Sequence, residues 1–77
     1  MAQSEKAQRV LALIAAKANL DVKDIKPEDS WADVGIDSLD VFELVMEFEK
    51  EFFISIPDED THSFATVADA IDYVEKH

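Results

Sequence analysis

The sequence contains no cysteine, one glycine, two prolines and two histidines among its 77 residues. Without cysteine the chain can form neither a disulfide nor a thiolate zinc site, and it has no thiol nucleophile. This absence fits a reducing compartment, and we expect a soluble protein that is cytoplasmic or lies in an organelle matrix. His62 stands in a polar turn and His77 is the last residue, so we interpret neither as a metal ligand or a catalytic base.

Basic residues are also scarce, because seven lysines and arginines face 18 acids and the net charge is −11. Ten of the acids lie between Asp33 and Asp60, where Lys50 is the only base. A surface this acidic repels phosphate backbones and anionic lipids, so we expect neither nucleic-acid nor membrane binding. Basic protein partners would complement it, although a solvated acidic surface that keeps a small protein soluble explains the charge equally well.

No stretch of the sequence approaches the roughly 18 to 20 apolar residues of a membrane-spanning helix. The segment VLALIAAKA, residues 10–18, superficially resembles the apolar core and cleavage site of a signal peptide. Glu5 and Gln8 stand where a signal peptide has a basic leader, and the apolar run is short. We therefore predict that this segment is a helix of the folded domain.

Hydrophobic periodicity predicts an all-α fold, a small four-helix bundle with three main helices, one short helix and a long first loop. The length predicts a single domain over residues 1–77. Ser4 is a candidate N-cap, and Thr66 with Asp69 predicts a capping box. The predicted helices run from about Ser4 to Ala18, from Ser38 to Phe53, from Asp58 to His62 after Pro57, and from Thr66 onward.

The first loop, from Asn19 to Asp37, is interrupted by Pro27 and by Gly35. We expect a short helical turn near Trp31. We also expect the loop to be packed against the helices through its apolar residues, Leu20, Val22, Ile25, Trp31, Val34 and Ile36.

In a helical projection with about 100° of rotation per residue, the second long helix carries two apolar stripes. The first stripe faces the predicted core and consists of Val41, Leu44, Val45, Phe48 and Phe52. The second stripe is centred about 130° away, is bordered by Glu43, Glu49 and Lys50, and consists of Leu39, Phe42, Met46 and Phe53. Burial of both stripes is one explanation. We favour an exposed second stripe that binds a partner, because the other helices of so small a bundle cover little more than half of one helix.

Ser38 lies where the first loop enters this helix. The sequence offers no nearby histidine and no glycine-rich elbow, so a role as a hydrolytic nucleophile is disfavoured. A phosphate ester on Ser38 would instead meet free backbone N–H groups and the positive end of the helix dipole. Spacing alone leaves a simpler explanation open, in which Asp37 or Ser38 only caps the helix.

Over nearly its full length the sequence resembles the acyl carrier proteins of dissociated fatty acid synthesis. The resemblance rests on VGIDSLD at residues 34–40, ELVMEFEKEFFISIPDED at 43–60 and TVADAIDYVEKH at 66–77. It implies that Ser38 carries a 4'-phosphopantetheine arm, transferred from coenzyme A by a phosphopantetheinyl transferase, whose thiol holds a growing fatty acyl chain as a thioester. The carrier itself would catalyse no reaction.

The same resemblance implies a monomer whose partners are that transferase and fatty acid synthesis enzymes and acyltransferases with basic patches. These partners would contact a docking face made of Asp37, Leu39, Asp40, Phe42, Glu43, Met46 and Glu49. Phe42 and Lys50 depart from the usual pattern of this face and leave the choice of partners open. Trp31 and Phe48 could reshape the interior space that shelters the acyl chain.

Other functions remain open at this point. A related carrier for polyketide, nonribosomal-peptide or D-alanine transfer would share Ser38 and the fold. A calcium-binding regulator is suggested by the clustered acids, but Asp33, Asp37 and Asp40 do not have EF-hand spacing, and we predict no metal site. An unmodified helical adaptor is the remaining alternative.

Overall fold

The computed structural model describes residues 4–77, and within them the fold is all-helical, as predicted. There are four α-helices in these residues. The long loop between the first and the second contains one short 3-10 helix, Val22–Asp24. The α-helices are α1 (Glu5–Ala18), α2 (Ser38–Phe52), α3 (Asp58–Thr61) and α4 (Val67–Lys76). The sequence therefore predicted the number and order of the α-helices correctly.

Helix α1 begins at the predicted cap, because the Ser4 hydroxyl accepts a hydrogen bond from the Ala7 amide at 3.0 Å. It ends at Asn19, whose backbone is left-handed with φ 60°. Asparagine tolerates this conformation better than most residues. The three- and four-residue steps of the sequence predict that Ala7, Val10, Leu11, Ile14 and Ala18 face inward. The first four are buried and Ala18 is partly buried, and Ala15, which that spacing does not include, is buried with them.

Helix α4 begins with the predicted capping box. The Thr66 hydroxyl accepts from the Asp69 amide, and an Asp69 carboxylate oxygen accepts from the Thr66 amide. The first loop is tied to this helix start, since the Val67 amide donates to the Asp29 carbonyl at 2.9 Å. The spacing of apolar residues after Thr66 predicts that Val67, Ala70, Ile71 and Val74 face inward, and all four are buried.

The core lies between α1, α2, α4 and the buried residues of the first loop. Of the stripe of α2 that was predicted to face the core, Leu44, Val45 and Phe48 are buried, while Val41 and Phe52 are partly buried. Phe48 is fully enclosed. Burial of side chains of this size stabilises a fold by about 1.5–3 kcal/mol each, so these residues fix the orientation of α2.

Two details of the first loop differ from the sequence prediction. Residues 31–35 form hydrogen-bonded turns, and the loop's short helix lies earlier, at Val22–Asp24, where the Asp21 carboxylate caps it. Leu20 and Val22, predicted to pack, are 42% and 41% exposed. The other predicted contacts hold, with Ile25, Val34 and Ile36 buried and Trp31 partly buried.

The predicted ends of two helices also move by one residue. Phe53 is the left-handed cap of α2, with φ 56°, rather than its last residue. His62 likewise lies one residue beyond the end of α3, at Thr61, but its backbone is right-handed. None of the helices in residues 4–77 combines the length and apolar composition needed to span a bilayer.

Candidate functional site

Ser38 is the first residue of α2 and is exposed. The capping is done by its neighbour, because an Asp37 carboxylate oxygen accepts from the Asp40 amide at 2.9 Å. The Ser38 hydroxyl makes no hydrogen bond within residues 4–77. Spacing alone left open whether Asp37 or Ser38 caps the helix. In the structure Asp37 is the cap, and the Ser38 hydroxyl beside it has no hydrogen-bond partner within residues 4–77.

The turn before Ser38 holds it in place. Gly35 has φ +77°, a left-handed conformation that side chains with a Cβ rarely adopt. The Ile36 amide donates to the Trp31 carbonyl at 2.8 Å and closes the turn. Val34 and Ile36 are buried on either side of the glycine. Two anchored side chains therefore fix the backbone that leads into Ser38.

The start of α2 also offers backbone hydrogen-bond donors to a phosphate ester. In the part of the chain that the structure describes, the Ser38 and Leu39 amides have no hydrogen-bond partner. Unsatisfied amides and the helix dipole together favour an anion at this position. The residues present therefore fit a phosphate group attached to the Ser38 hydroxyl.

The second stripe of α2 is exposed, as favoured from the sequence. Leu39 is 66% exposed, Phe42 48%, Met46 43% and Phe53 93%. These four residues are termed the apolar stripe. Apolar side chains aligned on one helix face and left uncovered are typical of a surface that binds another molecule.

The acids beside the apolar stripe differ in their surroundings. The Glu43 carboxylate accepts a hydrogen bond from the Lys17 ammonium at 2.8 Å, and Glu47 lies 3.6 Å from the same nitrogen. The hydrogen bond with Glu43, with help from the nearby acids, raises the pKa of Lys17 despite its desolvation. Asp37 and Asp40 have no ion pair among residues 4–77. Asp37 and Asp40, the acids nearest to Ser38, are therefore less neutralised than Glu43 and Glu47.

Glu49 plays a structural part that the sequence did not reveal. Its carboxylate is partly buried and accepts from the Ile56 amide at 2.8 Å, in the segment between α2 and α3. A carboxylate engaged with its own backbone is less available to a partner than a free one. The docking role assigned to Glu49 stays a prediction.

An apolar groove of about 400 Å³ begins beside Ser38. This volume lies within the range of small-molecule sites, about 300–1,000 Å³. Its walls come from the first loop, from the start of α2 and from the region of α3. The lining residues are Trp31, Ile36, Ser38, Val41, Phe42, Thr61, His62 and Phe64. The groove therefore connects the free hydroxyl to a space that could receive an apolar chain.

Several of these residues were missed or set aside from the sequence. His62 was interpreted as an ordinary surface residue, yet it lines the groove together with Ser38. Thr61 and Phe64 were not considered at all. Phe48, which was predicted to affect the sheltered space, lies in the core, whereas Trp31 does line the groove. The one signal for this wall in the sequence is an apolar residue, Phe64, shortly after a short polar helix that ends at Thr61.

Within residues 4–77 no three carboxylate or imidazole side chains converge to hold a metal ion. The acids that are clustered in the sequence therefore form no such group in the part of the chain that the structure describes.

Comparison with known proteins identifies a family and relatives that this chain resembles. Residues 8–74 match the family described as "Phosphopantetheine attachment site". Two relatives from two strains of Porphyromonas gingivalis, both called "Acyl carrier protein", are 47% identical over 75 residues. Each alignment covers 96% of this chain and 96% of the relative.

Proposed function

This chain belongs to the acyl carrier protein family, and we propose on that premise that Ser38 bears its 4'-phosphopantetheine arm. The single observation that carries the proposal is an exposed, unbonded hydroxyl at the first residue of α2, at the mouth of an apolar groove. The arm's terminal thiol would hold acyl groups as thioesters. The protein would then deliver fatty acyl chains to the enzymes that extend them.

Attachment of the arm is one substitution at phosphorus. The Ser38 oxygen forms a bond to the phosphorus next to pantetheine in coenzyme A, and the bond from that phosphorus to adenosine 3',5'-bisphosphate breaks. The serine proton passes to a base on the transferase, because no base in residues 4–77 is hydrogen-bonded to the Ser38 hydroxyl. The lack of an activating base supports a carrier that catalyses no reaction itself.

The groove supports a role in sheltering cargo. Trp31, Ile36, Val41 and Phe64 present apolar surface to any chain tethered at Ser38. An acyl chain of several carbons gains about 0.8 kcal/mol for each methylene group removed from water. The groove would therefore protect the chain during transit and release it when a partner offers a better apolar site.

The apolar stripe and the acids around it support docking to enzymes with basic patches. Charge complementarity speeds encounter, while a small contact area keeps binding weak enough for release after each step. We infer a single carrier domain, working as a monomer in the cytoplasm, with the transferase and fatty acid synthesis enzymes as its partners. A polyketide, peptide or D-alanine carrier would differ from this one in the mass of its cargo.

Incubation of the unmodified protein with coenzyme A and a phosphopantetheinyl transferase tests the proposal. We expect the protein to gain the mass of one phosphopantetheine group. The Ser38→Ala variant should gain nothing, whereas Ser55→Ala, which removes another exposed serine, should be modified as fast as the parent protein. A mass gain in Ser38→Ala, or none in the parent protein, would refute the assignment.

Docking through the apolar stripe has its own test. Met46→Asp places a charge in the middle of the stripe and should slow modification by the transferase about tenfold, the effect of losing a contact worth about 1.4 kcal/mol. Ala12→Asp adds the same charge to the exposed face of α1 and should leave the rate unchanged. Circular dichroism checks that both variants remain helical. Equal rates in both variants would show that the stripe is not part of the docking surface.

A further inference from the structure

Helix α3 is weakly attached for an element that forms a wall of the groove. It has four residues, buries none of them and lacks a side-chain cap at Pro57. One of its hydrogen bonds is local, from the Thr61 hydroxyl to the Asp58 carbonyl at 2.6 Å. A segment with so little burial opens more readily than the core helices.

Side-chain hydrogen bonds from other elements hold the segment before and after α3. Before it, the Glu49 carboxylate of α2 accepts from the Ile56 amide. After it, the Trp31 indole N–H of the first loop donates to the Phe64 carbonyl at 2.8 Å. Ile56 and Phe64 are also buried. Both ends of the segment are therefore anchored by packing as well as by hydrogen bonds.

Between these two anchored ends, a single side-chain hydrogen bond joins α3 to another element within residues 4–77. The Tyr73 hydroxyl of α4 donates to an Asp60 carboxylate oxygen of α3 at 2.7 Å. The Tyr73 ring stacks on His77 with centroids 4.1 Å apart and meets Phe64 edge-on at 5.4 Å. Because α4 is packed in the core and these contacts hold the Tyr73 ring, the position of the Tyr73 hydroxyl is fixed relative to α3.

We propose that the hydrogen bond between Tyr73 and Asp60 is a latch that controls the opening of the groove at α3. When the bond breaks, α3 can move away from α4 while its two anchored ends stay in place. Thr61 and His62, which line the groove, move with it. Tyr73 is thus a positioning residue that sets how easily an apolar chain enters or leaves. The part of this inference that concerns cargo rests on the proposed carrier function.

Hydrogen exchange in the unmodified protein tests the latch without any cargo. Tyr73→Phe removes the hydroxyl and keeps the ring contacts. We expect the protection of the amides at residues 58–63 to fall about fivefold, as for the loss of one hydrogen bond, with a smaller change in α1. An equal fall in both regions would show a general loss of stability and overturn the proposal, as would no change at residues 58–63.

Two further variants separate the hydrogen bond from the charge of α3. Glu59→Ala removes an exposed acid from the same helical turn whose side chain has no partner within residues 4–77, and it should leave the protection at residues 58–63 close to that of the parent protein. Asp60→Ala should reproduce Tyr73→Phe, and the double variant should show no further loss. Additive losses in the double variant would mean that the two residues act independently, which would overturn the latch.

The effect on cargo is measured on protein loaded at Ser38 with an octanoyl-pantetheine arm. In Tyr73→Phe we expect the octanoyl thioester to hydrolyse about fivefold faster than in the parent protein, because the chain leaves the groove more often. An acetyl thioester, too short to enter, serves as the control and should show the same rate in both proteins. Equal octanoyl rates would overturn the role in cargo exchange. Failure to load Ser38 at all would refute the carrier function and leave the hydrogen-exchange result standing.

Discussion

Phe53 combines two unfavourable features at one residue. Its backbone has φ 56°, a conformation that costs a residue with a Cβ roughly 1–2 kcal/mol, and its side chain is 93% exposed. Asn19 caps α1 in the same conformation, with φ 60°, but asparagine tolerates it. A fold selected for stability alone would favour asparagine or glycine at both positions. Exposure on the apolar stripe offers a functional reason for Phe53.

We predict that Phe53→Asn raises the free energy of unfolding by about 0.5–1 kcal/mol, because it relieves the backbone and removes no buried contact. The reverse exchange, Asn19→Phe, should lower it by a similar amount. Urea denaturation followed by circular dichroism measures both. A destabilised Phe53→Asn would mean that the exposed ring makes contacts important for folding.

Tyr73 offers a second test at the residue scale, since it is the only tyrosine. Its hydrogen bond to Asp60, together with desolvation and the nearby negative charge, raises its pKa above the usual value of about 10. The folded state therefore binds this proton more tightly than the unfolded state does. The resulting stability is fully present below about pH 10 and is lost as the pH rises through the folded pKa.

The expected result is a tyrosinate absorbance titration with a midpoint above that of the unfolded protein. Asp60→Ala should move the midpoint back towards it, because both the hydrogen bond and the charge are removed. Glu59→Ala should move it much less. A midpoint that is the same in the parent protein and in Asp60→Ala would contradict the hydrogen bond on which the latch depends.

At the scale of the element, α2 has acids that are partly neutralised by α1. Lys17 contacts Glu43 and Glu47, and Arg9 contacts Glu51 at 3.1 Å. Exposed pairs of this kind contribute little to stability. Their larger effect is to reduce the charge that α2 presents, so a basic partner that binds Glu43 must compete with Lys17.

Lys17→Gln should therefore increase the rate at which the transferase associates with the protein, by about twofold at low ionic strength. Lys23→Gln is the control, because it changes the net charge equally. Unlike Lys17, Lys23 has no ion pair with α2 or with any other part of residues 4–77. A larger increase in Lys17→Gln than in Lys23→Gln is the expected result in stopped-flow measurements. Equal or slower association in Lys17→Gln would show that Lys17 does not compete with partners.

The helices could be predicted from the sequence, but the side-chain hydrogen bonds and ion pairs that connect them could not. Periodicity predicts α1, α2 and α4 because each buries one face, and the caps Ser4 and Thr66 predict two helix starts. The exposed stripe followed from counting two apolar faces on α2. The hydrogen bonds of Lys17 and Tyr73 join residues 26 and 13 positions apart in the chain, and that of Glu49 spans seven positions, so all three depend on packing that no local pattern encodes. Leu20 and Val22 show the same limit, since an apolar residue in a loop does not reveal whether the loop covers it.

At the scale of the whole molecule, the net charge of −11 is carried by a chain whose backbone extends over 28 × 28 × 18 Å. The Debye length is about 30 Å at 0.01 M ionic strength and about 8 Å at 0.15 M. At low ionic strength nearly every acid therefore repels every other acid, whereas at 0.15 M only neighbours interact. The few ion pairs are too exposed to outweigh this repulsion.

Stability should consequently rise between 0.01 M and 0.15 M sodium chloride, seen as a higher thermal midpoint. Magnesium chloride at equal ionic strength separates screening from binding of divalent cations by the clustered acids. A midpoint that falls with sodium chloride would mean that the ion pairs between α1 and α2 outweigh the general repulsion.

The central claim is that Ser38 is the attachment point of an arm that carries fatty acyl chains. The most direct measurement is mass spectrometry of the protein purified from the cells that produce it, followed by fragmentation to locate any modification. We predict one phosphopantetheine group on the peptide that contains Ser38, with a fraction of molecules carrying a fatty acyl group on its thiol. An unmodified protein throughout, or an arm on any other residue, would contradict the account.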